Sequence, residues 1–267
     1  MNIHESGAGN PDTIVLLHPL GTRWDIFEPV IPPLSVHYHL VIPALPGHDP
    51  EDPESEFTSI EEIAKELEKW LRSHGYGNVA CLYGCSMGGA VVTRLLADHR
   101  IGADLAIIDG GITPYHLPKP VTGLIGVRDW GMMMLGKYMS VKALRGVFST
   151  DKYSPEDLQY VKDVLKGLSS RTIWRAFYST NNYTMPKRIP PLRTRIQYWY
   201  GEEEEKDRAM DIEYIRKTFT TAEFIKMPGL GHAEFLTLHP VEFFRKLADT
   251  LEAAMQADRD LQEAAEE

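Results

Sequence analysis

Apolar residues follow two alternating rhythms along this chain. Short continuous runs close on glycine or proline: TIVLLHPLG (13–21), YHLVIPALPGHD (38–49), NVACLYG (78–84) and ADLAIIDG (103–110). Runs of this kind, bounded by turn formers, read as strands buried on both faces. Between them the spacing lengthens to the helical period. Ile60, Ile63, Ala64, Leu67, Trp70 and Leu71 recur one helical face apart behind Ser59 and Glu62, which have capping-box spacing. Met87–His99 is another helix, and RWDIFEPVIPPLS (23–35) is a short one broken by prolines. Such alternation predicts an α/β fold: a mostly parallel sheet with helices on both faces.

The rhythm stops after residue 110. The next stretch has no convincing strand and carries helical pieces at Gly131–Tyr138, Val141–Phe148, Pro155–Leu168 and Arg171–Asn181. Pro155 behind Ser154 is a favourable helix start. A proline-rich return, PKRIPPL, leads into strand TRIQYWYG (194–201), helix Asp211–Phe219, strand AEFIKMPG (222–229) and a long helix from Pro240. The expected organisation is a core in two parts, 1–111 and 192–267, interrupted by a helical cap at 112–191. The polar tail DRDLQEAAEE reads as the frayed end of the last helix.

Composition narrows the functions. The chain has 267 residues, 43% of them hydrophobic, enough for a sizeable core. A net charge of -10 disfavours nucleic acid or an anionic membrane as partner. The N-terminus MNIHESGAGNPD lacks the apolar run of a signal peptide, and no apolar stretch approaches the ~20 residues of a membrane span. A cytoplasmic location is expected. Cys81 and Cys85 lie too far apart on an extended strand to bridge and lack zinc-site partners. With no G-x-G-x-x-G, P-loop or H-E-x-x-H, no cofactor or metal is expected. The expected partner is a small-molecule substrate; the oligomeric state stays open.

The candidate chemistry centres on Gly84-Cys85-Ser86-Met87-Gly88, which fits G-x-S-x-G between an apolar strand and an apolar helix. A serine on so sharp a corner presents its hydroxyl. Small residues two before and two after let strand and helix approach. The following amide, at the helix N-terminus, points toward developing negative charge. Serine needs a base. His232, in the loop after strand 222–229, lies where open α/β sheets place their sites, beyond strand carboxyl ends. The third member should be a carboxylate after TRIQYWYG, in the run Gly201–Asp207 (GEEEEKD), or Asp109 at the end of strand 103–110.

These motifs, with HPLG at 18–21, PALPGHD and the late PGLGH, resemble the α/β-hydrolase superfamily in its capped form, over most of residues 13–250. The resemblance implies the chain order serine, acid, histidine, with Ser86 as nucleophile, Glu204 as acid (three after Gly201) and His232 as base. It also implies an oxyanion hole from the Met87 and Leu20 amides. Two departures stand out: His18-Pro19 replaces the usual His-Gly, which leaves Leu20's amide in place, and the acid is a glutamate where aspartate is commoner. His18 is expected to orient the oxyanion loop, and His48 to be a turn residue. In the cap, Met133, Met134 and Trp174 are expected to line an apolar pocket, with Met87 also a candidate lining residue and Arg128 and Asp129 as candidate polar contacts. The expected activity is hydrolysis of a carboxylic ester of a small apolar or aromatic substrate. Lactone, thioester or carbon–carbon bond hydrolysis, or a non-catalytic ligand receptor on the same fold, are the alternatives.

Overall fold

The computed structural model describes residues 1–114, 117–146 and 152–266. Among them, strands β1 (Asn2–Ser6), β2 (Thr13–Leu17), β3 (His39–Ala44), β4 (Asn78–Cys85), β5 (Gly102–Asp109), β6 (Arg195–Gly201) and β7 (Glu223–Met227) form one sheet. Its order is β1-β3-β2-β4-β5-β6-β7. All pairs are parallel except β1, which runs antiparallel to β3 with Asn2 opposite Ala44 and Ser6 opposite Leu40. The mostly parallel sheet is as the alternation predicts. The edge strand β1 is the addition. Its residues are half-exposed and mostly polar, so it carries no apolar run to announce it.

Alternation along β2 divides the core. Val15 and Leu17 join the cluster on one face, and Ile14 and Leu16 the cluster on the other. The first face is covered by α2 (Ile60–Ser73), α3 (Met87–Asp98) and α8 (Ala209–Thr218), the second by α1 (Ile31–Ser35) and α10 (Pro240–Glu266). Ser59 caps α2 by accepting the Glu62 amide at 3.2 Å. Both cysteines are free and buried, and burial pushes their thiols upward in pKa. No helix of the described residues is long and apolar enough to cross a membrane.

Between β5 and β6 the chain leaves the sheet for an inserted helical cap: α4 (Lys119–Tyr138), α5 (Val141–Leu144), α6 (Pro155–Gly167) and α7 (Ser170–Asn182). A full capping box between Ser154 and Asp157 starts α6. Helix α4 begins a dozen residues before the expected Gly131, because its glycines and proline mask the helical pattern. The expected helix Val141–Phe148 is represented by α5; Phe148 lies outside the described residues. α7 is fastened to the core: Phe57 N–H donates to Thr172 Oγ1 at 3.2 Å and Ile60 N–H to Ser179 Oγ at 2.8 Å.

Candidate active site

β4 ends at Cys85 and α3 begins at Met87, so Ser86 alone makes the corner. Its backbone is at φ 53°, ψ -111°, a conformation costing a non-glycine residue about 1–3 kcal/mol. The neighbours hold it there. Ser86 N–H donates to the Asp109 carbonyl at 2.8 Å, and the Ser86 carbonyl accepts Ala90 N–H at 3.1 Å. A Cβ at Gly84 would strike the backbone of Gly88, and one at Gly88 the carbonyl of Leu17. The two glycines are therefore what lets α3 begin against β2 and β4.

β6 ends in a 3-10 turn, Glu202–Glu204, that folds Glu204 inward to 5% exposure. His232 lies in the loop between β7 and α9 (Glu234–Leu238). His232 Nδ1 donates to Glu204 Oε2 at 2.6 Å, which leaves Nε2 to accept the Ser86 hydroxyl at 2.9 Å. Glu204 Oε1 accepts Gly201 N–H at 3.0 Å. Burial alone would raise the Glu204 carboxyl. The His232 hydrogen bond and charge, the Gly201 amide and the Arg208 guanidinium outweigh it and hold the group below its usual range. Arg208 bridges two carboxylates, with Nε 3.7 Å from Glu204 and Nη1 3.1 Å from Asp211. Asp211 in turn accepts the Thr113 amide and hydroxyl at 2.7 and 2.8 Å. Sequence reading missed this support, although Glu204, Arg208 and Asp211 fall at four- and three-residue spacing, one helical face.

The rival acids are engaged elsewhere. Asp109 accepts the Tyr83 hydroxyl at 2.6 Å. Burial pushes its carboxyl up to about 7, against the pull of that bond. Glu202 binds Gly229 N–H at 3.0 Å, Glu203 pairs with Lys152 at 2.6 Å and Glu205 with Lys226 at 2.8 Å. His18 ties two loops together: its Nδ1 donates to the Pro19 carbonyl at 3.0 Å and its Nε2 accepts Leu45 N–H at 3.4 Å. Burial lowers its pKa to about 4. His48 is lowered to about 3 by burial and by His18 nearby; its Nε2 has no hydrogen-bond partner among the described residues.

Ser86 and His232 open on a cavity of about 520 Å³ between core and cap. Leu20 and Met133 line it, with Phe177 of α7 and Val161 and Leu165 of α6. Met134 and Trp174 do not. Met134 is one helical step round from Met133; both pack against Leu165, Leu168 and Ile173 inside the cap, and of the two Met133 alone lines the cavity. Trp174 stacks on Tyr178 at 5.7 Å and lines a separate outer groove with Trp130. The Met87 side chain is in the core and takes no part in the lining. Its amide is the first of α3, with no carbonyl one turn back to accept it. Arg128 also lies outside the lining; Asp129 is within it. A further contact that sequence reading missed fixes the cap to the loop after β2: Tyr160 OH donates to Asp25 at 2.6 Å and accepts Arg23 N–H at 3.0 Å.

The chain belongs to the alpha/beta hydrolase family, whose model matches residues 14–246. Over 258 residues it is 23% identical to the pimeloyl-[acyl-carrier protein] methyl ester esterase of Sodalis glossinidius (strain morsitans), covering 91% of this chain and 95% of that protein. Over 96 residues it is 32% identical to the magnesium-chelatase 30 kDa subunit of Rhodobacter capsulatus, a match spanning 35% of this chain and 33% of that subunit. Among solved structures, an alpha/beta hydrolase family protein from Desulfitobacterium hafniense superposes with a TM-score of 0.76 at 21% identity, covering 94% of this chain and all of that one.

Proposed function

We propose that this protein is a serine hydrolase that cleaves a carboxylic ester of a small apolar or aromatic substrate through an acyl-enzyme. The observation that carries the reading is the continuous chain Glu204–His232–Ser86, at 2.6 and 2.9 Å, ending in an apolar cavity. Ser86 Oγ attacks the ester carbonyl while His232 Nε2 takes its proton. Glu204 holds the imidazole in its tautomer and stabilises the imidazolium. The Met87 and Leu20 amides receive the oxyanion. Collapse of the tetrahedral adduct expels the alkoxide, which takes the proton from His232. Water, deprotonated by His232, then attacks the acyl-serine; the second tetrahedral adduct collapses to release the acid, and Ser86 Oγ takes the proton back from His232.

Family membership supports the fold of this reading, and likeness to a methyl ester esterase over nearly the whole chain favours an ester over a lactone, thioester or diketone. The proposed division of labour gives catalysis to the core at 1–111 and 192–267 and substrate enclosure to the cap at 112–191. We place the protein in the cytoplasm, acting on a small molecule without a cofactor. Steady-state assays on matched esters, lactones, thioesters and diketones test the reaction. The ester should show the highest kcat/KM, and a lactone or diketone turned over at least tenfold faster would replace it.

A further inference from the structure

Two of the cap helices, α4 and α6, each turn one stripe into the cavity, and each stripe opens with an aspartate. On α4 the stripe is Asp129, Met132, Met133 and Gly136. On α6 it is Asp157, Tyr160, Val161 and Leu165. The three- and four-residue steps put each set on one helical face. Apart from these two carboxylates, that surface is apolar or uncharged. Among the described lining residues there is no lysine or arginine. Three nearby cations are already paired: Arg128 lies outside the lining and pairs with Asp129 at 2.7 Å, Arg23 pairs with Asp25 at 2.6 Å beside the Tyr160 ring, and Lys152 pairs with Glu203 and Glu234. Asp157 accepts the Ser154 amide at 2.8 Å, the capping bond of α6.

From this distribution we infer that the cavity selects by charge: its substrate is an ester whose enclosed part is uncharged, and an ester carrying a free carboxylate on that part is rejected. This deepens the proposed ester hydrolysis and rests on it for the reaction. A buried carboxylate needs a cation or several donors to replace its water shell. Here it would lose that shell against methionine and leucine side chains, with the Asp157 carboxylate and the Arg128-paired Asp129 in the same wall and no cation left for it among the described lining residues. A neutral chain loses nothing and gains the apolar contact, roughly fourfold in affinity per buried methylene (~0.8 kcal/mol).

Binding to the Ser86→Ala protein tests the selection without chemistry. Calorimetry at pH 7.5 with methyl octanoate and with the monomethyl ester of octanedioic acid compares two ligands that differ at the far end by one carboxylate. The neutral ester should bind at least 30-fold more tightly. In the Asp129→Asn/Asp157→Asn background that ratio should fall at least fivefold, since asparagine keeps the shape and the capping acceptor. Asp129→Asn alone, away from the α6 cap, should lower the ratio in the same direction if the double variant folds poorly. Equal affinities within threefold, a ratio unmoved by the substitutions, or no binding of either ester would overturn the inference. Selective binding by the Ser86→Ala protein, together with wild-type protein that turns over no ester, would leave the charge selection standing and overturn the proposed reaction instead.

Discussion

The corner at Ser86 and the cap helix α4 use glycine for opposite ends. At Gly84 and Gly88 no Cβ fits, because backbone lies directly against backbone. At Gly123 and Gly131 of α4, a Cβ would meet nothing within 4 Å. Around the corner nearly every residue is buried, whereas α4 leaves Met132 at 61% and Leu135 at 64% exposure even as both touch the cavity. The difference matches what the proposed reaction asks of each region. Attack by a hydroxyl needs reacting groups held to a fraction of an ångström. Enclosing an apolar chain needs adaptable area, which thioethers on a loosely packed helix supply. Substitutions should therefore act on rate and folding at the corner, and on preference or helix stability in the cap.

The largest effect should come from the acid. Glu204→Gln removes the charge that fixes the His232 tautomer and should lower kcat by about 10⁴-fold with the fold intact by circular dichroism. Glu203→Gln, which loses only the surface pair with Lys152, should stay within about threefold. Equal losses in the two variants would break the assignment of the acid.

Next in size is Gly88→Ala. Its methyl would meet the Leu17 carbonyl, a backbone group that cannot swing aside. Overpacking of this kind costs about 1–3 kcal/mol or more, and the displaced corner should lose turnover. A urea midpoint equal to wild type would show that α3 has room to move.

The buried histidines His18 and His48, beside the loops after β2 and β3, should make the core edge acid-sensitive. The folded pKa of His48, about 3, lies below the unfolded 6.5. Its contribution to stability is therefore present above pH 6.5 and is lost as pH falls toward 3. His48→Gln should be destabilising at pH 7.5, and its deficit against wild type should narrow by about 1.4 kcal/mol per pH unit between pH 6 and 4. Urea unfolding across that range gives the slope. A constant deficit would mean that His48 is charged in the fold.

The smallest effect is a gain. Gly131→Ala in α4 adds a methyl to open space in a helix interior and should stabilise the protein by about 0.5–1 kcal/mol without loss of turnover. A loss of stability would mean that the outer face of α4 is packed against something.

The same contrast explains what could be read from sequence. β2 to β6 and the corner were legible because buried strands leave apolar runs and close approach leaves glycines at fixed spacing; β7, a half-exposed edge, was legible only because its short run AEFIKM closes on Pro-Gly. β1 was not, since a half-exposed edge strand needs neither. The acid was ambiguous within Glu202–Glu205 because a 3-10 turn decides which of four identical side chains turns inward. Helix phase decided the cap. Met133 and Met134 are chemically alike and both pack inside the cap, but one step round α4 puts only Met133 on the cavity. Pairs such as Tyr160 with Asp25 were illegible, being 135 residues apart in the chain.

Everything rests on Ser86 being a nucleophile activated by His232. Fluorophosphonate treatment of the native protein, followed by peptide mass spectrometry, reads this directly. Rapid, stoichiometric phosphonylation should occur at Ser86, slow at least about 100-fold in His232→Ala, and vanish in folded Ser86→Ala. Native protein that stays unlabelled at Ser86, or that labels equally fast without His232, would contradict it.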